Sequence, residues 1–166
     1  MNKMTKNTAI ATILTLASAS SMAATVTVGA SQATQDLSIG LATASTTDTG
    51  LMAEWYSDDL FGMEMLQQGL SFNGATKEGN VISYYLRPNA QLGGGVELFA
   101  KLGVSITGAT TTAASVKSTV EPSAAFGAGL VYHINKEYSV TAQYDQLYSD
   151  DVWDMTAVSI GVGYTY

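Results

Sequence analysis

The alternation within residues 121–166 constrains this chain more than any other feature. Taken at every second position back from the terminus, Tyr166, Tyr164, Val162, Ile160 and Val158 are large and apolar. Between them Thr165, Gly163, Gly161, Ser159 and Ala157 are small and mildly polar. A period of two makes this segment a β-strand with unlike faces. The strand before it repeats the pattern, with Tyr138, Val140, Ala142, Tyr144 and Tyr148 against Ser139, Thr141, Gln143 and Asp145. One strand earlier, Ala124, Phe126, Ala128, Leu130, Tyr132 and Ile134 alternate with Ser123, Ala125, Gly127, Gly129 and His133. A soluble exported β-sandwich also has one apolar and one polar face. The polar face here, however, is too small and too glycine-rich for a solvated surface, and suits the crowded inside of a narrow closed barrel. The apolar side then faces lipid.

Residues 1–23 stand outside this pattern. Lys3 and Lys6 precede a short apolar run from Ala9 to about Ala17, and Ser21-Met22-Ala23 places small residues where a signal peptidase needs them. That is a secretory signal; the apolar run is about half the ~20 residues of a spanning helix. Removal of residues 1–23 leaves a single barrel domain, 24–166. With Lys3 and Lys6 gone, five basic residues face fourteen acidic ones, a net charge of −9 that argues against nucleic acid as a partner. The chain has no cysteine, hence no disulfide framework, thiolate nucleophile or Cys-ligated metal.

The remaining strands follow in order. From Thr25 to about Thr43 the parity changes, Val26 and Val28 on one side and Leu37, Ile39 and Leu41 on the other, which predicts one long strand with a bulge near 32–36. Ser45 to Gly50 reads as a turn, followed by Leu51, Ala53 and Trp55 alternating with Met52, Glu54 and Tyr56. Another turn at Ser57-Asp58-Asp59 leads into a strand from Leu60 to Phe72, with a second bulge around Gln67-Gln68. Asn73 to Asn80 reads as a loop; Ile82, Tyr84 and Leu86 then alternate with Ser83, Tyr85 and Arg87 until Pro88 ends the strand. Asn89 to Gly95 reads as a turn, since no helix follows Gly93-Gly94-Gly95 to make it a phosphate loop. Val96, Leu98, Ala100, Leu102, Val104 and Ile106 form one face of the next strand; Glu97, Phe99, Lys101, Gly103, Ser105 and Thr107 form the other. Gly108 to about Val120 is the longest connection.

Eight strands with both ends on the periplasmic side put the segments 73–80, 108–120 and 149–154 outside the cell and the turns 57–59 and 135–137 inside. Tyr132, Tyr138, Tyr164 and Tyr166 then gather at the periplasmic end as an aromatic girdle. Charge supports the inward assignment of the small face. Glu97 and Lys101 share it, as do Glu54, Arg87, Asp145 and Glu64. A charge facing lipid near the midplane costs about 2–4 kcal/mol, whereas inside a barrel such groups pair with each other or with water. Arg87 and Glu97 flank one turn and can meet across the hairpin; Lys101 lies about two side-chain levels higher, near Glu54 or Asp145. Two readings stand: a narrow polar passage, or an interior network that holds the barrel shut.

The segments 98–104, 127–132, 138–145 and 158–166 resemble those of the small OmpA-like and OmpX-like outer-membrane β-barrels of Gram-negative bacteria. Asp36-Leu37-Ser38-Ile39-Gly40-Leu41 followed by Gly50-Leu51-Met52-Ala53-Glu54-Trp55 looks somewhat like the YfaZ group. The resemblance implies insertion by the outer-membrane assembly machinery, which reads a terminal strand ending in an aromatic residue, here Tyr164 and Tyr166. Outer-membrane lipids and lipopolysaccharide are the implied surroundings of a monomeric barrel. The chain lacks the peptidoglycan-binding domain of full-length OmpA-like proteins, so no wall-anchoring role carries over.

Catalysis has little to stand on. Barrel enzymes of the outer membrane use a histidine at the outer rim, and the single histidine, His133, adjoins the inner turn, with Ser123 and Ser139 near it only in sequence. The acidic stretch Ser149-Asp150-Asp151-Val152-Trp153-Asp154 lacks the ligand alternation and glycine of a calcium loop. The expectation is therefore an all-β, eight-stranded antiparallel transmembrane barrel of the bacterial outer membrane, without cofactor, metal or enzymatic activity. Its role is structural or at the surface, with a small-solute channel as the first alternative and a lipid-modifying enzyme as the second. If the leader reading holds, the mature protein isolated from cell envelopes begins at Ala24 on N-terminal sequencing; a chain still beginning at Met1 would refute it.

Overall fold

The computed structural model of the chain describes residues 24–39, 42–57, 61–72, 75–111, 120–149 and 153–166. Eight antiparallel strands close on themselves: β1 (Ala24–Ile39), β2 (Ala42–Ser57), β3 (Phe61–Phe72), β4 (Ala75–Leu86, resuming as Asn89–Gly93), β5 (Val96–Thr111), β6 (Val120–His133), β7 (Tyr138–Ser149) and β8 (Trp153–Thr165). Each pairs with the next, and β1 pairs with β8 from Thr25↔Thr165 to Leu37↔Trp153, which seals the ring. The two parts of β4 are one strand, because Leu86↔Leu102 and Asn89↔Phe99 keep the same register against β5. Between them Pro88 accepts the N–H of Ala100 at 3.0 Å but has none to return, so a single ladder bond is missing. This corrects the expected end of the strand at Pro88. The turn itself is only Gly94-Gly95, both at the positive φ that a two-residue I′ hairpin requires.

The faces sort by solvent, inverted from a soluble protein. Leu102 (59% exposed), Val158 (58%), Ile160, Val162, Leu98, Leu130 and Phe126 cover the outer wall, while Thr27, Ser31, Ser83, Thr141 and Ser159 are buried inside. Only hydrocarbon makes such a wall stable. At the periplasmic end Tyr138 and Tyr164 are cross-strand partners with rings 5.4 Å apart, and Tyr164 stacks on Tyr166 at 6.4 Å. Tyr132 is exposed on the neighbouring strand. Trp55 and Phe61 meet edge-to-face on the far side of the same rim.

Several expected boundaries move, for one reason. β1 pairs with β2 without a slip from Ala24↔Ser57 to Ile39↔Ala42, so there is no bulge at 32–36, and Ser45 to Gly50 is strand rather than turn. β3 pairs with β4 without a slip from Phe61↔Leu86 to Phe72↔Ala75, which removes the bulge at 67–68 and makes 75–80 strand rather than loop. The connections shrink to 40–41, 73–74, 112–119 and 150–152, all outside the described residues. A strand needs about 9–11 residues to cross the bilayer, and β1 and β2 have 16 each. Their upper outward positions, Gln32, Asp36, Ser45, Thr47 and Thr49, are polar and exposed. The wall thus continues above the lipid, where nothing enforces apolar-out alternation, and the parity change marks the membrane boundary.

Besides a slip between Gln91 and Gly93 at the glycine hairpin, a second bulge was unexpected. Against β8 the register of β7 slips between Gln146 and Tyr148, so Leu147 and Tyr148 are both buried, and Tyr148 leaves the outward face assigned to it. Ser105 Oγ donates to the Leu147 carbonyl and Gln146 Nε2 to the Tyr148 carbonyl (2.8 Å), satisfying groups the slip frees.

Two of the inward glycines, Gly62 and Gly129, stand opposite aromatic rings. A Cβ at Gly129 would lie 2.5 Å from Phe99 Cζ, and one at Gly62 would strike the Tyr85 ring. An eight-stranded bore is only wide enough for side chains to fill, so each ring needs a vacant facing position. Gly129→Val is therefore expected to destabilise the barrel by about 1–3 kcal/mol through overpacking, against little change for the lipid-facing Ala128→Val. Urea unfolding in detergent, followed by the heat-modifiable gel shift, checks the contrast; equal midpoints would refute it.

Candidate functional site

The interior is layered, because inward positions of neighbouring strands at one height meet in the bore. The lowest layer lies toward the periplasm. Arg87 on β4 donates from Nη1 to Glu97 Oε1 on β5 at 2.9 Å, across the glycine hairpin that separates them. Gln91 Nε2 reaches Glu97 Oε2 at 2.8 Å, and His133 Nε2 stands 3.3 Å from the same oxygen. The Arg87 guanidinium lies between the rings of Tyr56 and Phe99, 3.9 Å from each centroid, where the π faces favour the cation. A cavity of about 530 Å³ opens around this layer, lined by Thr25, Tyr56, Arg87, Asn89, Gln91, Glu97, His133, Asn135, Lys136 and Thr165.

The middle layer gathers four charges from four strands. Lys101 of β5 contacts Glu54 of β2 at 3.2 Å, Asp145 of β7 at 3.5 Å, and Glu64 of β3 most closely. Glu54 and Glu64 are direct cross-strand partners, a like-charge opposition that costs stability unless a cation sits between them. Lys101 is that cation. Tyr85 donates its hydroxyl to Glu54, Gln143 Nε2 donates to Glu64 at 3.1 Å, and the Tyr85 ring lies 4.7 Å from the ammonium. Glu54, Glu64, Lys101 and Asp145 are at most 3% exposed. Above them Met52, Leu66, Val81, Leu147, Tyr148 and Met155 form a buried apolar cluster, with the buried Gln35 of β1 opposite Met155.

All five residues that the sequence assigned to an interior charge network, Glu54, Arg87, Glu97, Lys101 and Asp145, thus face the bore. They form two groups, Arg87 with Glu97, and Lys101 with Glu54 and Asp145. Glu64 belongs with the second. Sequence reasoning missed the apolar layer. Its signal was parity: Met52 stands two residues from Glu54, Leu66 from Glu64 and Leu147 from Asp145. Ser139 also differs from its expected place: it is the cross-strand partner of His133 rather than a neighbour in sequence terms alone. Its hydroxyl nonetheless makes no hydrogen bond among the described residues, and His133 contacts Glu97 instead. Among the described residues no group of three or more His, Asp or Glu is placed to hold a metal ion.

A closed wall with an apolar outside and a filled polar inside defines a small transmembrane barrel of the outer-membrane type. Residues 9–166 match the family model described as the outer membrane protein beta-barrel domain; the chain belongs to this family and resides in the bacterial outer membrane. Its fold is shared by Ail, the attachment invasion locus protein of Yersinia pestis, at a TM-score of 0.64 and 18% identity over 87% of this chain and 99% of that one. It is shared too by the Neisserial surface protein NspA, at 0.59 and 16% identity over 85% and 97%. OprG of Pseudomonas aeruginosa follows at 0.58 and 15% over 87% and 96%. Among curated proteins nothing matches the chain. The likeness of its first half to the YfaZ group finds no support in these comparisons.

The middle layer makes a specific demand on stability. Lys101→Met leaves three buried carboxylates without their cation, and breaking a buried ion pair from one side costs about 3–5 kcal/mol. The Lys101→Met barrel is expected to lose its heat-modifiable folded form at markedly lower urea, and Glu54→Gln with Glu64→Gln in the same chain to restore part of the loss. A Lys101→Met barrel as stable as the parent would refute the assignment.

Proposed function

We propose that this protein is a plugged, non-enzymatic outer-membrane barrel whose activity lies at its outer surface. The carrying observation is the interior. The charged layer around Lys101 spans the bore with its four groups at most 3% exposed, and a buried apolar cluster lies on its outward side. This favours the reading of an interior network that holds the barrel shut over that of a passage. The extension of β1 and β2 above the lipid supplies an outer surface of Gln32, Thr34, Asp36, Ser45, Thr47 and Thr49, with a Thr34–Thr47 hydroxyl contact at 3.2 Å across it.

Two features shape what that surface meets. Ail has been seen with the heparin analogue sucrose octasulfate, but this chain carries −9 once residues 1–23 are gone, and Asp36, Asp48 and Asp154 stand on its upper strands. A polyanion is therefore a poor partner. Neutral sugar or protein surfaces suit it better, and lipopolysaccharide is its surroundings. We assign residues 1–23 to a cleaved signal. We also assign the exposed terminal aromatics Tyr164 and Tyr166 to recognition by the assembly machinery. The barrel acts as a monomer, since the ring is closed through its lower part and offers a second copy no strand edge there to extend.

Catalysis is disfavoured because His133 is held by Glu97 beside the periplasmic cavity, away from the outer leaflet. His133→Ala is expected to leave the envelope lipid profile unchanged. In a planar bilayer the purified protein is expected to show no conductance steps. Discrete steps that vanish on replacing Lys101 or Arg87 would overturn the plugged reading in favour of a channel.

A further inference from the structure

The periplasmic cavity is unused by a plugged, outward-acting barrel, and its chemistry is unlike that of the rest of the chain. Its one carboxylate, Glu97, is engaged three times from within, by Arg87 Nη1, Gln91 Nε2 and His133 Nε2. Asn135 has spent its acceptor too, its Oδ1 taking the N–H groups of Glu137 and Tyr138 at 2.8 Å each. What remains is a surplus of donors. Lys136 makes no ion pair among the described residues, and the Asn135 and Asn89 amides have hydrogens to give. Arg87, only 2% exposed, lines the cavity as a cation whose Nε and Nη2 have no acceptor, which biases the site toward an anion. Formally the lining holds Arg87 and Lys136 against Glu97, a net charge of +1 within a mature chain of −9. At about 530 Å³ the cavity has the size of a small-molecule site.

We propose that this cavity binds a small monocarboxylate solute from the periplasm, with Lys136 and the Asn89 and Asn135 amides at its mouth and Arg87 at its deepest point. The ligand binds and leaves by the same side, because the Lys101 layer closes the bore above. Glu97 positions the site: it holds Arg87, Gln91 and His133 in place.

The test is a titration of the full-length mature barrel, isotope-labelled in detergent micelles, with sodium lactate at constant ionic strength. Neutral lactamide is the control. Saturable shifts of the Asn89, Gln91 and Asn135 side-chain amides are expected with lactate and none with lactamide. Lys136→Gln, in an exposed turn, is expected to weaken binding about tenfold, as for loss of one charge-assisted hydrogen bond. Asn89→Leu serves as a second, independent variant, with heat-modifiability verifying that each barrel is folded. Linear, non-saturating shifts, equal binding of lactamide, or unchanged affinity in both folded variants would overturn the proposal.

Discussion

Hydrocarbon offers no hydrogen bonds, so a strand that crosses it must find a partner on both edges within the protein. In this chain the pairing of β1 with β8 meets that requirement. Thirteen consecutive partners, Thr25↔Thr165 to Leu37↔Trp153, join the first strand to the last and close the ring. Closure then dictates the rest. A ring of eight strands has an outside that touches lipid and an inside too narrow for bulk water, and the alternation along each strand delivers one side chain to each. Large apolar groups go out, and whatever goes in has to fit.

Fitting explains the chemistry of the interior. Glycines 62 and 129 stand where the rings of Tyr85 and Phe99 need room. Those same rings flank Arg87 and Lys101, so the vacancies that admit the aromatics also create sites for the cations. The charges arrive on different strands and become neighbours only through the ring: Lys101 meets carboxylates from β2, β3 and β7. The apolar cluster above and the burial of all four groups lower the local dielectric around these pairs, which strengthens them. Below, the interior widens into the periplasmic cavity, where polar groups from the turn at 134–137 and the continuation of β4 remain accessible.

Much of this was legible from parity. The inward positions of Arg87, Glu97, Lys101, Glu54 and Asp145 follow from alternation, and the hairpin at Gly94-Gly95 makes the meeting of Arg87 with Glu97 foreseeable. Other features were not. The sequence change at Leu37 and Ile39, and again at Leu70 and Phe72, resembles a bulge if apolar-out is taken to hold along the whole strand. It holds only where lipid touches the wall, and both hairpins run beyond it. Conversely the real slip at Leu147 leaves no trace in the pattern, because Tyr148 suits either face and the anchoring hydroxyl comes from Ser105, 42 residues away.

The sequence by itself determined that the chain is an all-β barrel with a lipid-facing wall, because a period of two with bulky apolar and small polar faces leaves few other environments for it. It also determined which charges point inward, since parity is a local property of the backbone. Only the tertiary structure decided which of those charges share a layer, and that a buried apolar cluster lies above them. Those outcomes depend on the stagger between strands distant in sequence, which no single strand encodes.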